Sequence, residues 1–527
     1  MISDVLRLLG LILVSLGLAA CGDDATSPPD TDATSDGDTT SEVSPDTSDT
    51  DTADTTIGDE VYGPRSPPAG EVPEALRSAT WIAHYEADLE PYWTSAAALG
   101  TPVGNYPTYR TMTGEPAANT KRRPRMISRQ IFAYVAGYLM TGEPTLLDHA
   151  QAGVTWLREH AIDRTLGGCH PELTADGGAI AGTRTAQDQA YCMLGLAAWY
   201  YLTRDPLAEA DLLAGRDLLF DPDAFWDADA GRIRDALDQT MTSEVDVEGD
   251  GGAELVAQLD PINAFMLLVQ PVLGDAADRE RFLADLRALG QVILDDFRQD
   301  GLIWGVSTKR GEYRSKHADF GHAMKAVWMV LQIDKRLDDH PFHDDVAALA
   351  DPLVTRAFDL DNGRWAKRPT SASAVEYGSD WWIYAEADQL TATLDLADGR
   401  HAARLAQTQA HWLTDYVDEV YPGEVIPGIK RDGSPVWSWP ATDTAKCNEW
   451  KNGYHSTEHA LVLSIVGAWR EGEDVVLHFA LPDEAADTLP VTPYVFQGRE
   501  LGRTAGQTRE VGGRTLRQTT VRFSDIY

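Results

Sequence analysis

Apolar side chains recur at the three- and four-residue spacing of an α-helix in about twelve segments of the chain. They lie near 73–93, 126–141, 146–160, 186–202, 207–219, 261–273, 279–297, 320–337, 344–358, 381–396, 402–417 and 456–469. Short turns at 142–144 and 397–399 contrast with longer Gly- and Trp-rich connections such as 301–314 and 362–378. Twelve such helices pair into six hairpins, and the alternation of short and long loops predicts an all-α (α/α)6 toroid with its cleft at the long-loop end.

The pattern changes to strict alternation near the end of the chain. Val475–Phe479 and Thr520–Phe523 alternate as half-buried strands do. We therefore expect a helical catalytic domain over 70–470 and a small β extension over 471–527 that packs on the barrel.

The N-terminal residues resemble a bacterial lipoprotein signal. Arg7 precedes an apolar run over 8–18 that is too short to span a bilayer comfortably, and Leu18-Ala19-Ala20-Cys21 follows as a lipobox. The resemblance implies cleavage after residue 20 and lipidation of Cys21, which would anchor the protein to a membrane. Gly22 at the next position favours the outer membrane of a Gram-negative cell envelope.

Residues 22–65 predict a disordered acidic tether. Asp, Thr, Ser and Pro dominate this stretch, and such a composition buries too little apolar surface to fold. About 26 of the 39 net negative charges remain on the body of the protein. An acidic body without a basic patch argues against nucleic acid as a partner.

Three cysteines remain after the lipidated one. Cys169, Cys192 and Cys447 allow at most one disulfide, and the chain has no C-x-x-C pair typical of a structural zinc or a redox site.

The stretch 449–463, EWKNGYHSTEHALVL, supports two interpretations. His455, Glu458 and His459 spell H-x-x-E-H, which on a helix would suit an inverted zinc peptidase provided that a third ligand lies downstream. Alternatively, the run from Trp450 to His455 forms the sugar-facing lip of an α/α barrel, with His455 as an acid or base. A capping and surface role for the polar side chains is also open.

Five stretches rich in polar and aromatic side chains follow one another between 126 and 469. They are Arg129 in SRQIFAYVAGYLMTG, the Gly167-Gly168 loop with RTAQDQAYCMLGLA, Phe320-Gly321-His322, Asp380-Trp381-Trp382 with Ala385-Glu386, and Lys451 to His455. In this order they resemble the N-acylglucosamine 2-epimerase superfamily, which includes N-acylglucosamine and cellobiose 2-epimerases and mannose-type isomerases.

The resemblance implies a carbohydrate substrate and a reaction without metal or cofactor. His322 and His455 would exchange a proton at C2 of the open-chain sugar, because imidazole accepts and returns protons near neutral pH. Arg129 would stabilise the enediolate oxygen. The side chains expected to line the sugar site are Arg129, Trp381, Trp382, Glu386, Lys451 and Tyr454.

Several positions depart from the family pattern. Lys325 stands where a glutamate is usual, Glu458 stands where an arginine is frequent, and the segment 260–265 has Ala264 and no histidine. We keep Lys325 and Glu458 as candidate substrate contacts. An acidic, glycine-containing insertion over 238–254 is expected near the cleft.

Two other functions remain open at this point. An (α/α)6 glycoside hydrolase would need paired carboxylates, and the candidates for that pair are Asp188, Asp319, Asp380 and Glu386. A sugar-binding protein that has lost catalysis is the other possibility, because Lys325 and Glu458 break the pattern. The sequence leaves the oligomeric state open.

Overall fold

The computed structural model describes residues 61–249, 251–437 and 442–527. The predicted signal peptide, Cys21 and most of the predicted tether lie outside the described residues. The last predicted tether residues pack on the body: the Tyr62 hydroxyl donates to Asp334 at 2.7 Å, and Trp469 Nε1 donates to the Arg65 carbonyl at 2.9 Å.

The described residues form twelve barrel helices. They are α1 (78–94), α2 (Pro124–Thr141), α3 (Pro144–His160), α4 (Ala186–Thr203), α5 (Pro206–Leu219), α6 (255–272), α7 (Ala276–Asp296), α8 (Phe320–Asp334), α9 (His343–Ala357), α10 (Trp381–Asp398), α11 (402–416) and α12 (Tyr454–Glu471). A π-helical turn widens α1 at Tyr85–Leu89, α6 at Ile262–Met266 and α11 at Trp412–Tyr416.

The even-numbered helices form an inner ring and the odd-numbered helices an outer ring. Nearly every side chain of α2, α4 and α12 is buried, whereas α3, α5 and α7 expose their polar faces. Helices buried on all sides are apolar all round, and outer helices are amphipathic. This arrangement is the predicted (α/α)6 toroid.

Local signals set the ends of the helices. Proline begins α2, α3 and α5, where the missing N–H would have no helical partner. Glu143 and Asp205 accept hydrogen bonds from the first turns of α3 and α5. Gly142 and Gly399 end α2 and α10 in the left-handed conformation, with φ of 69° and 73°.

The long loops precede the inner helices, so the N-terminal ends of these helices meet at the mouth. Among the described residues, seven small sheets of two-residue strands stiffen the long loops, including Glu172–Leu173 with Ala179–Ile180, and Ser379–Asp380 with Gly428–Ile429 and Pro435–Val436. The partial positive charges of the helix N-termini therefore converge on one cleft.

The first and last helices close the ring. The Ser78 N–H donates to the Glu471 carboxylate at 3.0 Å. Gly467 allows this approach, because a Cβ at that position would lie 2.6 Å from the Ser78 nitrogen. The hairpin partner of α12 is therefore α1, which lies at the opposite end of the sequence.

The predicted β extension is a three-stranded antiparallel sheet. Its strands β1 (Val475–Pro482), β2 (Arg499–Val511) and β3 (Arg514–Ser524) lie in the order β1-β3-β2. The sheet covers the short-loop end of the barrel: Gln518 donates to the Gly142 carbonyl at 3.0 Å, and Arg514 donates to the Thr203 carbonyl at 2.9 Å.

One disulfide joins Cys169, in the loop before α4, to Cys192 within α4. Cys447 is buried and unpaired. The pairing agrees with the single disulfide that the sequence permits.

Candidate active site

His322 lies in the first turn of α8 and is oriented by Asp319. One Asp319 oxygen accepts the His322 backbone N–H at 2.8 Å, and the other lies 2.7 Å from Nδ1. Burial opposes ionisation of Asp319, but the His322 ring and N–H hold the pKa of this carboxyl below its ordinary value. We therefore assign the proton to Nδ1 of His322, which leaves Nε2 as the basic nitrogen.

His455 is the second residue of α12 and is 6% exposed. Its Nδ1 lies 3.3 Å from the Glu386 carboxyl. Burial lowers the pKa of His455 well below the ordinary value, and the positive charges of Arg129 and Lys325 lower it further. His455 is therefore a neutral imidazole at physiological pH.

Trp382 lies between the two histidines. Its ring centroid is 4.7 Å from that of His322 and 6.1 Å from that of His455. Gly321 makes room for the indole, because a Cβ there would lie 2.5 Å from it.

Trp381 is buried behind the cleft, and its ring centroid lies 4.7 Å from the Lys451 ammonium nitrogen. The two neighbouring tryptophans thus have different roles, with Trp382 at the cleft and Trp381 in support.

Arg129 reaches the cleft from α2. Its guanidinium donates to the Trp450 carbonyl at 3.0 Å and lies 3.9 Å from the Tyr191 ring centroid. Among the described residues no carboxylate pairs with it, so its positive charge is available for a developing oxyanion. Arg125, one turn earlier, pairs with Asp188 at 3.1 Å. The spacing of four residues from Arg129 was the signal that would have identified Arg125.

The Lys325 ammonium forms a buried ion pair inside the barrel. Its ammonium donates to the Tyr191 hydroxyl at 2.9 Å and to Asp260 at 3.1 Å. Gln187 also donates to Asp260. Substrate contact by Lys325 stays a prediction, and sequence reasoning missed both Tyr191 and Asp260 because they lie on other helices.

Lys451 and Tyr454 are both fully buried. Lys451 donates to Glu424 at 2.7 Å, and Ser456 donates to the same carboxylate. The Tyr454 hydroxyl accepts from Asn263 at 2.8 Å. Substrate contact by Lys451 and Tyr454 stays a prediction, whereas their observed partners fix the start of α12 and hence the position of His455.

Glu458 and Glu386 form a buried carboxyl pair beside His455. Glu386 is 0% and Glu458 1% exposed. Burial raises the pKa of Glu386 to about 8, against the opposing charge of Lys325 and with further raising by Glu458. The Tyr494 hydroxyl, from the segment between β1 and β2, donates to Glu458 at 2.5 Å. Tyr494 was not identifiable from the sequence.

The two histidines of the H-x-x-E-H motif have separate surroundings. His459 Nε2 lies 3.1 Å from Asp388, and its ring packs between Trp81 and Trp412.

His455 instead groups with Glu386 and Glu458. The possible ligand atoms of these three residues lie within 4.8 Å of one another, a spacing that would admit a metal ion. The positive charges of Lys325 and Arg129 act on this group and disfavour a cation there.

The predicted insertion over 238–254 contributes to the mouth. Its last residue, Glu254, lies 2.5 Å from the Lys316 ammonium and 3.5 Å from His317 Nε2. Despite burial, these partners lower the pKa of Glu254 to about 2. The His317 ring lies 4.5 Å from that of His322, so the insertion supports one wall of the site.

The sequence model of the N-acylglucosamine 2-epimerase (GlcNAc 2-epimerase) family matches residues 106–250. The cellobiose 2-epimerase of Eubacterium cellulosolvens is 23% identical over 351 residues, which are 62% of this chain and 84% of that protein.

Solved structures share the fold. The cellobiose 2-epimerase of Spirochaeta thermophila superposes with a TM-score of 0.63 at 18% identity, covering 74% of this chain and 96% of its own. A D-mannose isomerase superposes with a TM-score of 0.62 at 16% identity, covering 75% of this chain and 99% of its own. The chain is therefore similar to the N-acylglucosamine 2-epimerase family over residues 106–250 and shares the fold of these solved epimerases and isomerases.

Proposed function

We propose that this protein is a sugar 2-epimerase or an aldose–ketose isomerase that acts on a mono- or disaccharide. The observation that carries the proposal is the placement of His322 and His455 against the same indole, Trp382. Each histidine turns Nδ1 towards a carboxyl group and keeps Nε2 for a substrate. Two such nitrogens around one carbon are what proton transfer at C2 requires.

The reaction begins with the open-chain sugar. One neutral histidine accepts the C2 proton, and the electron pair of the broken C–H bond forms the enediolate with negative charge on O1. The other histidine then gives a proton to the opposite face of C2, the C1 carbonyl re-forms, and the product is the epimer. The ketose forms instead when the O2 proton moves to O1 and C1 accepts the proton taken from C2, so that O2 becomes the carbonyl oxygen.

Arg129 and the inner-helix N-termini supply the positive potential for the enediolate. The Arg129 guanidinium carries no carboxylate partner within the described residues, and helix N-termini favour anions. Trp382, partly exposed between the two imidazoles, offers a flat apolar surface to a sugar ring.

The relatives suggest the substrate class. The similar proteins include cellobiose 2-epimerases, named for a disaccharide, and a D-mannose isomerase, named for a monosaccharide. We extend that range to this chain and leave open which sugar is preferred.

We further propose that the protein is exported and anchored by lipid at Cys21 on the cell envelope. The Cys169–Cys192 disulfide supports this location, because structural disulfides persist in oxidising compartments and are rare in the cytosol.

The test is hydrogen exchange at C2. The protein is incubated in heavy water with mono- and disaccharides, including N-acetyl sugars, and loss of the C2 proton is followed by NMR. We expect exchange that a chelator leaves unchanged and that His322→Ala and His455→Ala abolish. His411→Ala, on the outer ring, is the matched control.

Absence of exchange with every sugar would overturn the proposal. Release of free sugar from a glycoside by the same samples would favour the hydrolase alternative. Loss of exchange with a chelator would favour a metal at His455.

A further inference from the structure

Three elements meet beneath His455. Glu386 comes from α10, Glu458 from α12, and Tyr494 from the segment that joins β1 to β2. The Tyr494 ring is 3% exposed and its hydroxyl donates to Glu458. The C-terminal extension therefore reaches through the short-loop end of the barrel as far as the floor of the active site.

The two carboxyl groups are not equivalent. Burial raises the pKa of Glu458, but the Tyr494 O–H, which donates to it at 2.5 Å, opposes this shift and favours the ionised form. Among the described residues, neither oxygen of Glu386 has a hydrogen-bond partner, and neither has His455 Nδ1, which lies 3.3 Å from Glu386 Oε1. Two buried carboxylates this close repel each other, so the pair retains a proton at neutral pH, and Glu386 is the member that holds it.

Charged and titratable groups face this pair from every surrounding element. They are Arg129 on α2, Asp260 on α6, Lys325 on α8 and Tyr454 on α12, while Tyr191 on α4 acts on Lys325. The positive charges of Lys451, in the loop before α12, and of His322, on α8, act in addition on His455. The positive charge of Lys325 acts on both carboxyls, but its hydrogen bonds go to Asp260 and Tyr191. The positive charge of Lys325 therefore favours the ionised forms of the two carboxyls without a hydrogen bond to either of them.

The proton on Glu386 decides which nitrogen of His455 is basic. While Glu386 is protonated, it donates to Nδ1, and Nε2 carries the ring proton. When Glu386 loses its proton to solvent, the ring proton moves from Nε2 to Nδ1 and faces the carboxylate. Nε2 then has a free electron pair and can accept the C2 proton.

We propose that Tyr494 and Glu458 are positioning residues that keep one proton on Glu386, and that release of this proton converts His455 into the base. This inference rests on the proposed function for its catalytic meaning. The protonation equilibrium itself exists without a sugar.

The first readout therefore uses no substrate. Two-dimensional NMR of protein labelled with ¹⁵N-histidine reports which ring nitrogen carries the proton, and His455→Gln identifies the signals. We expect the His455 tautomer to change near the pH at which Glu386 titrates, about 8. An unchanged tautomer between about pH 5 and pH 10 would overturn the proposal.

Two variants test the roles of the partners. Glu458→Gln removes the charge that raises the pKa of Glu386, so the tautomer change should move to lower pH by about one unit. Tyr494→Phe removes the donor that keeps Glu458 ionised, so the change should move in the same direction. Glu458→Gln keeps the test available if Tyr494→Phe fails to fold.

Tyr384→Phe is the matched control. It also removes a buried tyrosine hydroxyl on α10, but that hydroxyl donates to the Thr408 carbonyl at 2.9 Å. A midpoint shift in all three variants, or in none, would overturn the assignment.

The second readout is the pH profile of C2 exchange. Its acid limb should follow the tautomer midpoint in the wild type and in Glu458→Gln. Because the spectra need no sugar, a tautomer change without exchange would count against the proposed function alone.

Discussion

At the scale of single residues, the two histidines of the cleft differ in the carboxyl group that lies beside Nδ1. Asp319 lies beside His322, and Glu386 lies beside His455. Asp319 has a lowered pKa and Glu386 a raised one, so only Asp319 is ionised throughout the neutral range. His322 therefore keeps one tautomer, whereas that of His455 depends on pH. The site combines a fixed base with an adjustable one.

Asp319→Asn tests the fixed base. An amide at position 319 can donate a hydrogen bond as well as accept one, so it no longer fixes the ring proton on His322 Nδ1. We therefore expect C2 exchange to fall about 10²- to 10⁴-fold. The measurement is the exchange rate at saturating sugar, with thermal unfolding as the control. Wild-type exchange in a folded variant would show that Asp319 serves only to begin α8.

Lys325→Met tests the buried ion pair. Removal of the ammonium leaves Asp260 charged in the interior, and we expect the free energy of unfolding to fall by about 3 to 5 kcal/mol. Urea unfolding measures this loss. The double variant Lys325→Met, Asp260→Asn should recover most of it, and the absence of recovery would contradict a direct pairing.

The limits of the sequence are clearest at this scale. His322 and Trp382 could be predicted as site residues because they lie in short motifs at the start of helices. Lys451 lies in an equally suggestive motif, yet its partner Glu424 comes from the preceding loop and carries no periodic signal. Tyr494 reaches Glu458 from an irregular segment, and only the folded chain reveals that contact.

At the scale of elements, helical periodicity predicted the barrel well because each helix buries a continuous apolar face. The predicted segment 126–141 differs from α2 by two residues at one end. The predicted segment near 261–273 begins too late, because Pro261 lies inside the helix and not at its start. The helix begins at Leu255, and the wide turn Ile262–Met266 immediately follows the proline.

The disulfide offers a test at this scale. Cys169 and Cys192 are 23 residues apart and tie the loop that contains Gly167-Gly168 to α4. We expect Cys169→Ala with Cys192→Ala to lower the free energy of unfolding by about 3 kcal/mol, because the open chain gains freedom when unfolded. Urea unfolding with and without a reductant measures this. Cys447→Ala is the control, since its thiol is free.

At the scale of the whole molecule, the barrel and its extension both contribute residues to the candidate site. β1 and β3 cover the short loops, and the segment between β1 and β2 completes the floor of the site. The relatives superpose on about three quarters of this chain. The proposed lipid anchor at Cys21 would hold this whole unit at the cell envelope.

Cys21→Ala tests that location. The unlipidated protein should leave the membrane fraction of the producing bacterium and appear in the soluble fraction. Immunoblots of the two fractions measure the change, and Cys447→Ala should stay with the membrane. A wild-type protein found only in the soluble fraction would contradict the lipid anchor.

The closure of the ring by α1 and α12 bears on how the chain folds. The contact between Ser78 and Glu471 joins residues 393 positions apart. Such a closure costs entropy before it gains contacts, so it belongs to the slow steps of folding. During synthesis the apolar face of α1 must wait until nearly the whole barrel has left the ribosome. The nascent chain therefore stays open until late, a state that chaperones bind and that a translocation channel for unfolded chains accepts.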